Sequence, residues 1–375
     1  MDPLLSYALS CQESLIGLIR ELVECESPSG DAAAIARFNE LVAARAGSMA
    51  EARTLKGGHL RCEFHLPGSR KRGQVLVLGH SDTVWARGTL ARMPFRERDG
   101  RLWGPGVLDM KAGLAFFLCA VHGLRELDIP VARRVVLLLN ADEETGSESS
   151  RVFTEREARR SAAVLVLEPA TGLEGRLKTA RKGVGDYTVT VRGRAAHAGL
   201  DFEKGANAVV ELARQIERIA GFTQPGRGLT VSPGVVTGGT RTNVVPDEAR
   251  VEVDVRVMRL RDAPSLERKF RSLRPFDKRC AIEVKGGLNR PPMERSAGTV
   301  RLFRLAQRLT RELDVRLEES LSGGGSDGNF TSALGVPTLD GLGAVGEGAH
   351  AANESILVER IADRVALLAK LIAAL

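Results

Sequence analysis

Short apolar runs alternate with segments of helical periodicity along the first half of the chain. Residues 74–78, 135–139 and 164–167 are apolar almost throughout, which is typical of strands buried on both faces of a sheet. Helical periodicity precedes them at 4–25 and 31–47 and recurs between them at 111–127. Strands and helices in this order predict an α/β domain built on a mostly parallel sheet flanked by helices.

The pattern changes after about residue 180. Residues 184–191 alternate apolar and polar positions, as in a strand with one face in water. A helix, two strands, a second helix and a last strand follow, which is the β-α-β-β-α-β order of a ferredoxin-like α+β unit. The first pattern then returns. We therefore expect one α/β domain, residues 1–180 and 290–375, interrupted by a smaller domain, residues 181–289.

The composition narrows the class of protein. Apolar residues make up 43% and charged residues 27%, as in ordinary globular proteins. We find neither an unbroken apolar stretch of the ~18 residues that a membrane span needs nor a secretory signal pattern. The net charge is +7, but aromatic residues are only 4%, which argues against a base-stacking surface for nucleic acid. The five cysteines include no C-x-x-C pair, so we expect free thiols in the cytoplasm.

Polar clusters follow the three apolar runs. His80 and Asp82 come after the first run, Glu143 and Glu144 after the second, and Glu168 after the third. In open α/β sheets, ligands bind at the carboxyl ends of the strands. Imidazole and carboxylate without thiolate favour zinc, cobalt or manganese in a catalytic site.

Each candidate residue also has an ordinary structural explanation. His80 and Asp82 can form a turn, and Asp109 is well placed to cap the helix behind it. Adjacent carboxylates such as Glu143 and Glu144 occur in solvated loops, although they repel each other unless a cation is near. Five ligands drawn from these residues and His350, near the end of the chain, are too many for one tetrahedral zinc with an open position. They suit two metals that share a carboxylate.

Seven blocks in order resemble the dizinc family that contains glutamate carboxypeptidase, zinc aminoacylase, acetylornithine deacetylase and succinyl-diaminopimelate desuccinylase. The resemblance covers essentially the whole chain and is greatest for glutamate carboxypeptidase. The blocks are GHSDTV at 79–84, GPGVLDMKAG at 104–113, DEETGS at 142–147, EP at 168–169, HAG at 197–199, GGGSD at 323–327 and HAANE at 350–354.

The resemblance implies a binding role for each metal candidate. His80 and Glu168 would bind one Zn²⁺, and Glu144 and His350 would bind the other. Asp109 would bridge the two ions, and the peptide bond after it would be cis. Co²⁺ or Mn²⁺ would suit the same ligands.

The resemblance also implies catalytic and assembly roles. Asp82 would support the imidazole of the first ligand, and Glu143 would be the general base. The inserted domain would be the dimerisation lid of a homodimer, and His197 would reach the active site of the neighbouring subunit.

Basic residues indicate the substrate class. Asn243 and Arg256 lie in blocks that match family segments for the substrate carboxylate or backbone, and a guanidinium holds a carboxylate through two hydrogen bonds. Arg290 matches an arginine that grips the α-carboxylate in glutamate carboxypeptidase. Arg176 stands where that enzyme has a lysine, a change that is not conservative in a shaped pocket. Alternatively, Arg176 and Arg290 are ordinary surface cations of an arginine-rich protein.

The glycine-rich loop is the last candidate. We expect Gly325 and Ser326 to lie near the substrate or near His350, with Ser326 or Asp327 in contact with the ligand. Residues 323–328 also fit the dinucleotide pattern G-x-G-x-x-G, but the preceding segment is too polar for a buried strand.

These observations predict a metal-dependent hydrolase that releases glutamate or aspartate from an N-acyl amino acid or a short peptide. An N-acetyl or N-succinyl amino-acid deacylase, a dipeptidase and an N-carbamoyl amidase share the metal site and stay open as alternatives. A catalytically silent protein that binds amino-acid derivatives is the non-enzyme alternative.

Overall fold

A computed structural model describes residues 2–69 and 71–375; Met1 and Arg70 lie outside the described residues. The chain divides into two compact units. Unit 1 comprises Met1–Ala180, Arg295–Ser322 and Ser326–Leu375, and unit 2 comprises Arg181–Glu294 and Gly323–Gly325.

Both units contain helices as well as strands. The helices are α1 (Pro3–Ser10), α2 (Gln12–Glu24), α3 (Ala32–Ala46), α4 (Ala112–Glu126), α5 (Arg151–Ala158), α6 (Ala208–Ala220), α7 (Ala263–Arg271), α8 (Ala297–Arg311), α9 (Gly328–Ala333) and α10 (Ile361–Ala374). The strands are β1 (Ala50–Thr54), β2 (Leu60–Phe64), β3 (Gln74–His80), β4 (Arg96–Arg98), β5 (Arg101–Trp103), β6 (Arg134–Asn140), β7 (Ser161–Val166), β8 (Leu177–Arg181), β9 (Gly183–Arg192), β10 (Thr230–Gly238), β11 (Glu248–Val257), β12 (Ala281–Arg290), β13 (Glu319–Ser322), β14 (Thr338–Leu339), β15 (Gly346–Glu347) and β16 (Ser355–Leu357).

Six strands form the main sheet of unit 1, in the order β1-β2-β6-β3-β7-β14. The strands β6, β3, β7 and β14 are parallel, and for β6, β3 and β7 the apolar runs predict this. The hairpin of β1 and β2 is antiparallel, and β2 is also antiparallel to β6. The sheet is therefore mixed, and the prediction of a mostly parallel sheet is wrong. Strand β1 is exposed along most of its length, so no apolar pattern reveals it in the sequence.

The carboxyl ends of β6, β3 and β7 meet at one edge of this sheet. In the register of the parallel pairs, His80 lies opposite Asn140 and Leu78 lies opposite Val166. The three strands are largely buried, so their apolar side chains hold this edge rigidly in the core. The polar residues that follow each strand are consequently brought together.

Helix α4 belongs to the core of unit 1. The segment Val107–Glu126 is apolar and long enough to cross a membrane by length and composition, but 89% of its most apolar window is buried inside the protein, as is usual for a core helix. Its first turn is irregular: Asp109 and Met110 have non-helical backbone angles. The peptide bond between them is cis, as the resemblance implies.

Unit 2 has the chain order β9-α6-β10-β11-α7-β12 and one antiparallel sheet in the order β10-β11-β9-β12. This is the β-α-β-β-α-β order that the sequence predicts. Buried and exposed positions alternate along β11, and the buried ones pack with residues of α6 and α7 in a separate hydrophobic core. Strand β10 lies at the edge of the sheet and is exposed over its last residues.

Candidate metal centre

Three side chains meet at the carboxyl edge of the main sheet. We call His80, Asp109 and Glu168 cluster A. His80 ends β3, Glu168 follows β7, and Asp109 lies in the irregular turn before α4. The Nε2 atom of His80 is 3.2 Å from Oδ1 of Asp109 and 3.7 Å from Oε1 of Glu168. The three ligand atoms lie within 4.8 Å of one another.

A second group, cluster B, consists of Asp109, Glu144 and His350. The Nε2 atom of His350 is 3.2 Å from Oδ2 of Asp109 and 3.2 Å from Oε1 of Glu144. Asp109 thus turns one carboxylate oxygen to each cluster. His350 has a φ of 62°, a left-handed backbone that is uncommon outside glycine and is enriched at functional sites.

Both clusters fit a bound divalent cation. Ligand atoms around a tetrahedral zinc with bonds of ~2.0–2.1 Å lie about 3.3 Å apart. The distances from each histidine nitrogen to the carboxylate oxygens of its cluster, 3.2–3.7 Å, are close to that distance. Each cluster offers one imidazole nitrogen and two carboxylates, and three protein ligands is the number that catalytic zinc sites use.

The carboxylates make both imidazoles strongly basic. Hydrogen bonds to Asp109 and Glu144 raise the pKa of His350 to about 10. Burial lowers the pKa of His80, but its hydrogen bond to Asp109 and the other nearby carboxylates outweigh burial and hold this pKa well above its usual range. The site therefore favours positive charge on these rings, which agrees with a candidate site for cations.

Asp82 links cluster A to the segment that carries the two glutamates. Its carbonyl oxygen is 2.8 Å from Nδ1 of His80, and a carboxylate oxygen is 3.6 Å from the same nitrogen. A contact at Nδ1 orients the ring so that Nε2 points at the cluster. The same carboxylate accepts the N–H groups of Glu143 and Glu144, each at 3.2 Å. Glu143, half-buried, is adjacent in sequence to a cluster residue without belonging to either cluster.

A family comparison decides the class of the protein. Residues 76–374 match the model of peptidase family M20/M25/M40. The chain belongs to this family. The predicted resemblance is therefore confirmed, and the M20 protein is a hydrolytic enzyme that acts on C–N bonds.

Individual relatives agree with this family. Carboxypeptidase G2 from Pseudomonas sp. (strain RS-16) is 29% identical over 369 residues, which is 96% of this chain and 89% of that protein. Aminopeptidase PepT from Bacillus cereus superposes with a TM-score of 0.77 at 23% identity, covering 96% of this chain and 98% of that one. The YXEP protein of Bacillus subtilis, described as a dinuclear metal binding peptidase from the M20 family, gives 0.72 at 14% identity and covers 97% and 98%. The two structures show that the fold is shared.

One buried acid of the M20 site has no assigned role in the sequence analysis. Glu354 is fully buried and accepts N–H groups from Gly106, Leu108 and Asp109 at 2.8–3.0 Å. Its carboxylate also accepts Nε1–H of Trp85 at 2.8 Å. It therefore ties the turn that presents Asp109 to the loop of His350. The signal in the sequence that could have identified Glu354 is its place at the end of the block HAANE.

The substrate candidates of unit 1 make contacts of their own. Arg176 lies in a tight turn and pairs with Glu174 at 3.2 Å. Ser326 is fully buried, and its hydroxyl donates to Asp340 at 2.7 Å. Their predicted roles at a substrate stay predictions.

The candidates His197 and Asn243 of unit 2 lie on adjoining segments. The N–H of Ala198 donates to the carbonyl of Asn243 at 3.0 Å. His197 is exposed, and its Nδ1 accepts the N–H groups of Gly199 and Leu200 at 3.1 and 3.2 Å. In the neutral ring the proton therefore sits on Nε2, which can donate.

The arginine candidates of unit 2 lie close to the glycine-rich loop. Arg256 pairs with Asp254 at 2.7 Å. Arg290 is largely buried, and a Cβ on Gly325 would lie 3.0 Å from its Cδ. The absence of a side chain at Gly325 thus lets the loop pass directly against this arginine. Arg181, which no motif in the sequence marks as a site residue, donates to the carbonyls of Gly324 and Gly325.

Proposed function

We propose that this M20 enzyme is a dizinc hydrolase that releases glutamate or aspartate from an N-acyl amino acid or a short peptide. The observation that carries the dinuclear part is Asp109, whose two carboxylate oxygens face two separate clusters. Cluster A would hold one ion and cluster B the other. Two bound ions would polarise the amide carbonyl and lower the pKa of the attacking water.

Glu143 is the proposed general base. Its carboxylate takes the proton of the attacking water and then gives that proton to the departing amine nitrogen. Asp82 supports this step indirectly, because its carboxylate accepts the N–H group of Glu143 and so fixes the segment. The variant Glu143→Ala should retain both metals and lose about 10²–10⁴-fold in kcat. Turnover near that of the parent enzyme would remove Glu143 from this role.

His197 is the proposed donor to the oxyanion. The hydrogen bonds to its Nδ1 leave the proton on Nε2, so the neutral ring offers an N–H group to the negative oxygen of the tetrahedral species. We propose that it acts from a partner subunit of a homodimer. Mixing the single variants Glu143→Ala and His197→Ala should then restore activity, because hybrid dimers contain one site with both residues. Failure to restore activity would contradict the exchange between subunits.

The edge of unit 2 supports this homodimer. Strand β10 has an open edge, and Val235 and Val236 on it are exposed. Val209 and Val210 of α6 are also exposed, and a Cβ on Gly238 would meet Val209 at 3.0 Å, so the two elements adjoin. An open strand edge with apolar neighbours is a common pairing surface. Light scattering on the parent protein and on Val236→Lys should show a dimer and a monomer, respectively.

The acidic specificity is supported by Arg290 and Arg256. A guanidinium recognises a carboxylate through two parallel hydrogen bonds, and both arginines lie close to the same glycine-rich loop. The decisive experiment is mass spectrometry of amine release from acyl-glutamate, acyl-aspartate, N-acetylornithine, N-succinyl-diaminopimelate, neutral N-acetyl amino acids and dipeptides, with zinc or chelator. Chelator-sensitive release of glutamate or aspartate supports the proposal. Release only from neutral or basic substrates contradicts the arginine assignment, and so does an unchanged KM for acyl-glutamate in Arg290→Ala.

A further inference from the structure

A buried histidine outside both clusters contacts the segment that carries the two glutamates. His59 lies in the hairpin between β1 and β2 and is fully buried, with its ring 5.5 Å from that of Phe153. Its imidazole contacts the backbone of Ala141 and the side chain of Ser149. These two residues flank Glu143 and Glu144, so both contacts fall on the same short segment.

The hydrogen bonds fix the tautomer of His59. The N–H of Ala141 donates to Nδ1 at 3.0 Å, so Nδ1 carries no proton. The proton of the neutral ring is therefore on Nε2, which donates to the hydroxyl of Ser149 at 3.1 Å. That hydroxyl in turn donates to Asp142 at 2.7 Å. Burial lowers the pKa of His59 against the pull of Asp142, which agrees with a neutral ring.

The direction of these bonds excludes a nucleophilic serine. In a catalytic Ser-His-Asp set the serine hydroxyl gives its proton to the histidine, whose other nitrogen is held by the acid. Here the hydroxyl of Ser149 gives its proton to Asp142, and His59 receives a backbone N–H instead. The direction of the hydrogen bonds among Ser149, His59 and Asp142 therefore indicates a structural role and not a catalytic one.

The segment is held from two sides. Asp142 also accepts the N–H groups of Ser149 and Ser150 at 2.8 and 3.3 Å, which closes the segment on itself. Asp82 accepts the N–H groups of both glutamates from the side of β3. His59, which directly precedes β2, holds the start of the segment from that side through its buried hydrogen bond with Ala141.

We infer that His59 is a positioning residue that fixes the segment from Ala141 to Ser150 and thereby places Glu143 and Glu144. The inference rests on the proposed function, in which Glu143 is the base and Glu144 is a ligand of cluster B. Residues that orient metal ligands from behind typically change metal affinity or activity by about 10–100-fold when they are replaced.

Two conservative variants separate the two bonds of His59. In His59→Asn, the amide oxygen takes the place of Nδ1 and keeps an acceptor for Ala141. In His59→Gln, the amide nitrogen takes the place of Nε2 and keeps a donor for Ser149, while the buried N–H of Ala141 loses its acceptor. An unpaired buried N–H destabilises the local backbone, so His59→Gln should show the larger effect.

The main readout is hydrogen exchange of residues 138–150 by mass spectrometry, with and without zinc. We expect faster exchange there in His59→Gln and near-parental exchange in His59→Asn. The zinc-loaded His59→Gln variant should lose about 10–100-fold in kcat, with a much smaller change in KM. Titration of His59→Gln with zinc alone should show weaker binding of one of the two zinc equivalents, since only cluster B takes a ligand, Glu144, from this segment.

The matched control is Gln74→Leu. Gln74 is equally buried and hydrogen-bonded, but it begins β3 at the end opposite His80, about 20 Å away at the rise of a strand. Its loss should lower Tm without changing exchange at 138–150 or the ratio of kcat to KM. Ser149 is exposed and bonds to His59 and Asp142, so Ser149→Ala provides a second variant if His59→Gln does not fold. It should likewise speed hydrogen exchange at residues 138–150.

Equal behaviour of His59→Asn and His59→Gln, or losses that follow Tm as in the control, would overturn the inference. So would unchanged exchange in His59→Gln or, where that variant does not fold, in Ser149→Ala. The proposed function fails by a different result, the retention of turnover in Glu143→Ala. Because exchange is measured without turnover, the two failures are distinguishable.

Discussion

Clusters A and B share Asp109 but are built in different ways. Cluster A takes its imidazole from the last residue of a buried strand, and the His80 side chain is 2% exposed. Cluster B takes its imidazole from a loop with a left-handed backbone, and the His350 side chain is 48% exposed. The sheet therefore preforms one half of the centre, whereas the other half depends on a loop held by Glu354.

Removal of the shared carboxylate should have the largest effect, because it alters both clusters at once. We expect Asp109→Asn to weaken binding of both zinc equivalents and to reduce turnover by more than the ~10²–10⁴-fold that a general base contributes. Metal analysis after dialysis, together with kcat, checks this outcome. Full retention of one tightly held ion would show that the clusters are independent.

Replacement of the two histidines tests the difference between the clusters directly. His350→Ala should lose about one metal equivalent and leave the urea midpoint nearly unchanged, because this side chain is half exposed. His80→Ala should lose one equivalent and also lower stability, by roughly 2–5 kcal/mol, because it empties a buried site beside carboxylates. Equal stability losses in the two variants would contradict the comparison.

Proton release should be similar in the two clusters. Both imidazoles have a pKa raised above the usual value, so each holds its proton to higher pH than a free imidazole does, and a metal must displace that proton. We expect about one proton released per zinc, measured by calorimetry in buffers of different ionisation enthalpy. Because protons compete with zinc for the imidazoles, the apparent zinc affinity falls as pH falls, by about tenfold per pH unit for each displaced proton. Zinc binding without proton release would contradict the basic imidazoles.

A smaller effect is expected at Glu354. In Glu354→Gln the amide keeps one oxygen but turns an NH₂ group toward donors, so some of the four hydrogen bonds are lost. We expect a loss of about 1–3 kcal/mol in the free energy of unfolding and a modest weakening of both zinc equivalents. A urea titration with zinc present checks this, and weakening confined to cluster A would separate Glu354 from the loop of His350.

Much of the centre could be predicted because its parts lie at strand ends. His80, Glu144 and Glu168 follow apolar runs that the sequence shows directly, and parallel pairing brings such ends together. The contacts of Asp109 and His350 required the resemblance, since nothing local in the sequence brings the two residues together.

The unpredicted features depend on partners that are distant or locally unremarkable. Strand β1 has no apolar pattern, so the antiparallel pairing of its hairpin and the burial of His59 are not visible in the sequence. The contact between His59 and Ala141 spans 82 residues. The ion pair of Arg176 with Glu174 is the opposite case, because the partner lies only two residues away in the sequence. Glu174 competes for the guanidinium that the sequence assigns to the substrate carboxylate.

Because Asp109 is shared, the occupancies of the two clusters would depend on each other in the proposed dinuclear site. A cation bound at one carboxylate oxygen would withdraw negative charge from the other, so each ion would lower the affinity for its neighbour, and linkage makes this effect reciprocal. At limiting metal we therefore expect half-loaded molecules with cluster A filled first. Cluster B would then accept whichever divalent ion is abundant, so mixed-metal species should form in cells and in assay buffers.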